Sequence, residues 1–282
     1  MDRFQAGTLT FPVRDIPAAG SAHPGETVIL LHGFPQTAQS WDALIPSLTA
    51  AGYRVLAPDQ RGYAPGALAG GRRAYRMAEL VSDVIALIDA ADLERVHLVG
   101  HDWGGAVAWS VASAHPERLL TVTSLSTPHP AAMVKSMTSS GQLAKSWYML
   151  AFQLPWLPER FLDMSTPAGR KRLIGTLRKS GLPRSEAEQA ADALAVPGVT
   201  TGALNWYRGL PFSGKGAGRV RVPTLYVWGK HDAFLGRKAA ELTAQYVIGP
   251  YTFVELDGGH WIQAEAAQPL LAHLAENPMN TG

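Results

Sequence analysis

The pentapeptide Gly100-His-Asp-Trp-Gly104 has the Gly-x-nucleophile-x-Gly frame of a sharp turn between a strand and a helix. Its central residue is Asp102, at the position where esterases and lipases carry serine. A carboxylate has a reference pKa of about 4, so it is already ionised at neutral pH and can attack an alkyl carbon directly. Aspartate is also a favoured helix cap, so the motif alone leaves a purely structural Asp102 equally open.

Two further residues could complete a catalytic set with Asp102. His260 follows one predicted strand, in Gly258-Gly-His-Trp261, and Asp232 follows the preceding one. The order nucleophile, acid, histidine is found in hydrolase triads, where the acid orients the histidine and the histidine activates water. Asp257 is the other candidate acid, but it lies only three residues before His260 and is better suited to bracing the turn.

The elements that must position these residues alternate along the chain. Short apolar segments end in turn-forming or polar residues and are separated by segments with helical spacing, which predicts a mostly parallel sheet flanked by helices. Active residues of such sheets gather at the carboxyl ends of the strands. The predicted strands are 27–31, 53–57, 96–99, 122–126, 222–228 and 251–256, and the predicted helices are 41–50, 77–91, 104–115, 237–246 and 263–276.

The alternation stops between residues 128 and 218, where the sequence is helical in pattern and rich in proline. A helical insertion in such a sheet most simply forms a lid above the carboxyl edge, with a cavity between the two layers. The predicted organisation is therefore a core of residues 1–127 and 219–282, with a lid of residues 128–218.

Several motifs together resemble the soluble, lid-bearing epoxide hydrolases of the α/β-hydrolase fold. They are His32-Gly-Phe-Pro35, Gly100-His-Asp-Trp-Gly-Gly105, His115-Pro-Glu-Arg118, Ser126-Thr-Pro128 and Gly258-Gly-His-Trp261, and the match spans about residues 32–274. The resemblance implies an ester intermediate on Asp102, formed from a small apolar epoxide and hydrolysed by water that His260 activates. It also implies an oxyanion hole formed by the backbone N–H groups of Phe34 and Trp103. The chemistry requires no metal or organic cofactor.

The resemblance also points to two lid tyrosines that hold the epoxide oxygen. Tyr148 lies in a segment similar to the first of the family's tyrosine segments, and Tyr207 in Asn205-Trp-Tyr-Arg208 matches the second. Either tyrosine alone could be an aromatic filler. The aromatic residues that we expect to contact an apolar substrate are Phe34, Trp103, Phe152, Trp206 and Trp261.

Two other functions stay open. Haloalkane and haloacetate dehalogenases use the same kind of triad, but the former commonly have Asn where this chain has Phe34, and the latter carry arginines after the nucleophile. The other alternative is a catalytically silent scaffold that binds a small ligand, since fold does not guarantee activity. The complete set of candidate residues argues against a silent scaffold.

Composition narrows the class of protein. The 282 residues carry a formal net charge of +2 and no cysteine, so we expect neither a nucleic-acid partner nor disulfides. The basic residues Arg170, Lys171, Arg172, Arg178, Lys179 and Arg184 are interpreted as a solvated helix face. The N-terminus lacks the apolar segment of a signal peptide, so we expect a cytoplasmic protein without a membrane partner, either a monomer or a homodimer.

Overall fold

The computed structural model describes residues 1–140, 142, 147–214 and 216–279. Within that part of the chain, an eight-stranded sheet has the order β1-β2-β4-β3-β5-β6-β7-β8. The strands are β1 Arg3–Ala6, β2 Leu9–Ile16, β3 Thr27–Leu31, β4 Arg54–Pro58, β5 Val96–His101, β6 Leu119–Leu125, β7 Thr224–Gly229 and β8 Tyr251–Leu256. From β4 to β8 all neighbours pair in parallel, whereas β1 and β2 are antiparallel additions at one edge.

Helices cover both faces of the sheet. In chain order, the described helices of the molecule are α1 Ile45–Ala50, α2 Met77–Ala90, α3 Trp103–Ala114, α4 Pro130–Ser139, α5 Trp147–Ala151, α6 Leu157–Phe161, α7 Pro167–Lys179, α8 Arg184–Ala195, α9 Val199–Gly209, α10 Arg237–Thr243 and α11 Ala267–Ala275. Alternate side chains of β3 enter opposite cores: Ile29 and Leu31 pack in the core that contains α2 and α3, and Val28 and Leu30 in the one that contains α1 and α11. Burial on both faces explains why β3 is continuously apolar.

The six strands predicted from the sequence are confirmed, with boundary shifts of up to three residues. The hairpin of β1 and β2 was not predicted. Its signal is the alternation of Leu9-Thr-Phe-Pro-Val13 after a turn in which Gly7 adopts a φ of +59°. Pro12 interrupts that pattern and weakens it, but β2 lies near the edge of the sheet, where a proline is tolerated.

Between β6 and β7, the described residues form helices α4 to α9 and a short 3-10 turn. This agrees with the helical insertion expected from the sequence, while its limits at residues 128 and 218 stay predictions. None of the described helices is both long enough and apolar enough to cross a membrane.

Candidate active site

Asp102 stands at a strained turn between β5 and α3. Its φ of +52° is uncommon for a residue with a side chain and costs about 1–2 kcal/mol. The glycines around it are required by space: a Cβ on Gly100 would lie 2.2 Å from the carbonyl oxygen of Gly104, and one on Gly104 would lie 2.1 Å from that of Leu31. The turn therefore holds the Asp102 carboxylate at the carboxyl edge of the sheet.

His260 and Asp232 meet Asp102 at this edge. His260 Nδ1 donates a hydrogen bond of 2.8 Å to Asp232 Oδ2, and His260 Nε2 lies 3.5 Å from Asp102 Oδ2. Both His260 and Asp232 are buried. The other oxygen of Asp232 accepts the backbone N–H groups of Phe234 and Leu235, at 2.7 and 2.9 Å. The structure thus brings the three residues predicted from the sequence into hydrogen-bonding or near-contact distance.

Asp257, the alternative acid, lies outside this arrangement. Its carboxylate is exposed and contacts Lys230 Nζ at 3.0 Å and His231 Nε2 at 2.9 Å. It therefore braces the strand end, as the sequence suggested.

Backbone donors surround the Asp102 carboxylate. The N–H of Phe34 donates to Asp102 Oδ1 at 2.8 Å, and the N–H of Trp103 also hydrogen-bonds this carboxylate. Gly33 makes the approach possible, since a Cβ there would lie 2.3 Å from Asp102 Cβ. Two donors on one carboxylate form the kind of pocket that stabilises an oxyanion.

The charges at the site reinforce one another. Burial would lower the pKa of His260, but the carboxylates of Asp232 and Asp102 outweigh it and raise this pKa to about 10. Burial would raise the pKa of Asp102, but the hydrogen bond and charge of His260 hold it below the ordinary value of 3.8. The resting site thus holds an ionised Asp102 beside a protonated His260.

A cavity of about 480 Å³ opens above Asp102 and His260. Its wall is mostly apolar and combines the sheet edge with α5, α6, α7 and α9, and its other polar side chains are Tyr148, Tyr207 and Thr176. The apolar lining residues are Phe34, Pro35, Trp147, Phe152, Phe161, Leu162, Leu173, Leu177, Ala233, Phe234 and Trp261. Such a wall suits an apolar ligand of modest size.

The two candidate lid tyrosines both reach this cavity. Tyr148 comes from α5 and Tyr207 from α9, and their ring centroids are 6.1 Å apart. Burial raises the pKa of both hydroxyls, and the Asp102 carboxylate raises it further. At Tyr207 the neighbouring Tyr148 hydroxyl also opposes ionisation and so raises the pKa. Both therefore stay protonated at neutral pH and can donate a hydrogen bond into the cavity.

The family model described as the alpha/beta hydrolase fold matches residues 26–267. The chain belongs to the α/β-hydrolase fold family. Among its α/β-hydrolase relatives, the AB hydrolase superfamily protein YfhM of Bacillus subtilis is 38% identical, covering 88% of each chain. Epoxide hydrolase A of Mycobacterium tuberculosis is 33% identical, covering 91% of each chain. A crystal structure of epoxide hydrolase A from Mycobacterium thermoresistibile superimposes with a TM-score of 0.80 at 28% identity, covering 97% of this chain and 98% of the other.

Two of the aromatic residues that we expected to contact substrate lie elsewhere in this α/β-hydrolase. Trp206 is 1% exposed, and its indole N–H donates to the carbonyl of Arg61 behind the cavity. The Trp103 ring is also buried, edge-on against Tyr207 at 4.9 Å between ring centroids. Neither side chain lines the cavity, because Trp206 lies on the face of α9 that packs against the core and Trp103 lies beneath that helix, against Tyr207. Phe34, Phe152 and Trp261 do line the cavity. We therefore retain only the last three as candidate substrate contacts.

Sequence reasoning missed the residues that position His260. His101 was not among the predicted site residues, yet its buried ring contacts the His260 carbonyl through Nε2 at 2.9 Å, and the hydroxyl of Ser126 donates to the same oxygen at 2.6 Å. The Gln263 amide nitrogen lies 3.2 Å from His101 Nδ1. If Gln263 donates to Nδ1, the proton of His101 is on Nε2, which donates it to the His260 carbonyl. The sequence signal was the position of His101 at the end of an apolar strand segment and next to Asp102. In the structure, β5 is buried along its whole length.

Phe234 was missed as well. Its backbone N–H holds Asp232, and its ring lies edge-on to His260 at 5.0 Å and lines the cavity. The turn after β7 carries no sequence signal for this double role. Among the described residues, no group of three or more His, Asp or Glu side chains is arranged to hold a metal ion.

Proposed function

We propose that this α/β-hydrolase is an epoxide hydrolase that opens a small apolar epoxide to a vicinal diol. The observation that carries the proposal is the placement of an ionised carboxylate and two protonated tyrosines around one apolar cavity. The names of the relatives given above point the same way. In this proposal, residues 128–218 act as the lid that supplies both tyrosines.

The first step is attack of Asp102 on a ring carbon of the epoxide. Oδ2 is the attacking oxygen, because Oδ1 is held by the Phe34 N–H. A carbon–oxygen bond forms to Oδ2 as the ring bond between carbon and oxygen breaks. The leaving alkoxide stays on the same molecule and takes a proton from Tyr148 or Tyr207. This proton transfer stabilises the strongly basic oxygen as the ring opens.

The second step is hydrolysis of the resulting ester. Ester formation neutralises Asp102 and so removes one of the charges that raise the pKa of His260. His260 then loses its proton, which restores the tyrosine, and its free Nε2 accepts a proton from water as the water attacks Asp102 Cγ. Negative charge develops on Oδ1, where the N–H groups of Phe34 and Trp103 stabilise it by about 3–4 kcal/mol. As this intermediate collapses, the bond between Cγ and Oδ2 breaks and the departing diol oxygen takes the proton from His260. The second proton of the water then passes to His260, which restores the Asp102 carboxylate.

A dehalogenase is less well supported by the geometry. A halide leaving group needs N–H donors pointing into the cavity, and Phe34 offers no side-chain donor at the position where haloalkane dehalogenases commonly have Asn. The other expected donor, Trp103, does not line the cavity, and its indole hydrogen-bonds the Tyr207 hydroxyl. The intact triad argues against a silent binding scaffold.

A product assay tests the proposed function. We expect diol formation from an aryl or alkyl epoxide to exceed halide release from chloro- or bromoalkanes of similar size by at least about 100-fold, the effect of one well-placed proton donor. Chromatographic detection of the diol and an ion-selective measurement of halide report the two reactions. Faster halide release would establish the dehalogenase alternative, and neither product across a varied panel would favour the silent scaffold.

The two steps should differ in their dependence on pH. Ester formation needs ionised Asp102, whose pKa is held below 3.8, and protonated tyrosines, whose pKa values are raised, so its rate should be constant from mildly acidic solution to about pH 9. Ester hydrolysis needs neutral His260, so its rate should rise with pH. The pKa of His260 is about 10 while Asp102 is ionised, so the midpoint should lie below pH 10 once Asp102 is esterified. Single-turnover fluorescence of Trp261, which lies 4.8 Å from His260 between ring centroids, separates the steps. A hydrolysis rate that falls as pH rises would contradict His260 as the base.

A further inference from the structure

Large apolar side chains are concentrated on the outer surface between α5 and α6. Six of the ten large apolar residues that are exposed in the described part of the chain fall in this segment, with exposed fractions from 47% to 69%. We call them the lid patch: Trp147, Leu150, Leu154, Trp156, Leu157 and Phe161. Exposed apolar residues concentrated in one short segment mark an interaction site more often than isolated exposed residues do.

The backbone conformation at Trp156 indicates that the exposure of the lid patch serves a function. Trp156 adopts a φ of +50°, a left-handed conformation that bulky residues rarely take, and its ring is 64% exposed. Pro155 and Pro158 flank Trp156 in the sequence. Strain of this kind is maintained where it serves a site, and here it holds an indole out in solvent.

The lid patch is continuous with the mouth of the active-site cavity. Trp147 and Phe161 are 68% and 53% exposed, and both also line the cavity. A ligand dissolved in whatever covers the lid patch would therefore meet the cavity without crossing bulk water.

Positive charge lies beside the lid patch on both sides of α7. The guanidinium of Arg172 stacks over the Phe161 ring at 4.3 Å and donates to its carbonyl at 2.8 Å. On the other side, Arg170, Lys171, Arg178 and Arg184 line a surface groove of about 510 Å³ between α7 and α8.

Acidic residues compensate only part of this charge. Arg170 pairs with Asp192 and Arg184 with Glu188, while Lys171, Arg178 and Lys179 have no ion pair among the described residues. Within the lid-patch segment itself, Glu159 is neutralised by Arg208 at the base of α9. The surface around the lid patch is therefore net positive.

We propose that the lid patch and the basic surface of α7 dock the protein on an anionic lipid surface, with the lid patch in the interface and the basic groove against lipid phosphates. Exposed tryptophan beside clustered lysine and arginine suits the boundary between headgroups and acyl chains. A second copy of the chain is disfavoured as the occupant, because two such surfaces would bring like charges together. The net charge of the whole chain conceals this local surface, and an apolar substrate would reach the cavity from the lipid.

Binding to vesicles tests this proposal without relying on any catalytic activity. The full chain is sedimented with vesicles of phosphatidylcholine alone, or with about a third of the lipid replaced by phosphatidylglycerol. We expect binding to the anionic vesicles that weakens as salt is added. The double variant Lys171→Gln/Lys179→Gln should bind about 25-fold more weakly, about fivefold for each lysine. Trp156→Ser/Leu157→Ser should weaken binding by about tenfold or more.

Matched controls are available at the opposite end of the sheet and on α10. Ile248→Ser removes another exposed apolar residue, and Lys238→Gln another exposed lysine, and neither should change binding. All variants should keep the thermal unfolding temperature and any epoxide turnover of the native chain. Absence of binding to anionic vesicles would overturn the proposal. So would a dimer that Trp156→Ser/Leu157→Ser dissociates in analytical ultracentrifugation, since a second copy would then cover the lid patch.

Discussion

The variant His260→Gln should accumulate a covalent ester on Asp102. Ester formation depends on Asp102 and the tyrosines, whereas ester hydrolysis depends on the base, so losing the base stops the reaction between the two steps. Asp232 keeps its hydrogen bonds from Phe234 and Leu235, and the Gln amide can still donate to it. We expect steady-state turnover to fall by about 10²–10⁴-fold. Intact-mass spectrometry after addition of an aryl epoxide should show an adduct of the full substrate mass.

Two controls make the His260 result specific. His231→Gln is the same substitution at an exposed histidine whose side chain pairs with Asp257, and it should turn over normally without an adduct. Adding Asp102→Asn to His260→Gln should abolish the adduct, and asparagine tolerates the positive φ of this position. An adduct that persists without Asp102 would place the nucleophile elsewhere. No adduct from any of a varied set of epoxides would count against the ester mechanism.

The double variant Tyr148→Phe/Tyr207→Phe should open epoxides about 10²–10⁴-fold more slowly, because no donor remains for the developing alkoxide. Each substitution removes one hydroxyl and keeps the ring, so the contacts between Tyr207 and Phe34, at 5.4 Å, and between Tyr148 and Phe234, at 6.0 Å, are preserved. Single-turnover measurements should show the loss in ester formation and not in ester hydrolysis. Either single variant should lose less than the pair, since the other tyrosine still donates.

The variant Tyr63→Phe is the control for the double tyrosine variant. Tyr63 is buried near Trp206, does not line the cavity, and its hydroxyl has no hydrogen-bond partner among the described residues. Removing that hydroxyl should leave epoxide opening unchanged and cause little loss of stability. Should the double tyrosine variant release halide from haloalkanes as fast as the native chain while losing diol formation, the tyrosines would be specific to the epoxide oxygen. Unchanged diol formation would exclude them as proton donors.

Spacing along the chain was sufficient to predict the elements that bear the three candidate catalytic residues. The central parallel strands β3, β5 and β6 are short and mostly apolar, since both of their faces are buried. The carboxyl ends of parallel strands meet at one edge of a sheet. The sequence therefore predicted the proximity of Asp102, Asp232 and His260 before any distance was measured. The β1–β2 hairpin was missed because its alternation is short and contains Pro12.

The wall of the cavity could not be predicted with the same success. Tryptophan is a residue type that often contacts an apolar substrate, but the packing of α9 against the core buries both Trp103 and Trp206. At the contact between α9 and the core, a Cβ on Gly202 would lie 2.5 Å from the carbonyl oxygen of Gly62, so the helix sits directly on the backbone below it. Which face of a helix in this insertion meets the core depends on such contacts between distant residues, and helical periodicity alone does not specify them.

The sequence by itself therefore determined the fold, the order of the triad residues and the choice of a carboxylate as candidate nucleophile, because these follow from local turn chemistry and strand burial. Only the tertiary structure decided what surrounds that carboxylate. It placed His101 and Ser126 on the His260 carbonyl, turned Trp206 away from the cavity, and gathered the lid patch beside the basic surface of α7. The physical reason is that these contacts join residues far apart in the chain, whose encounter is set by the packing of whole helices.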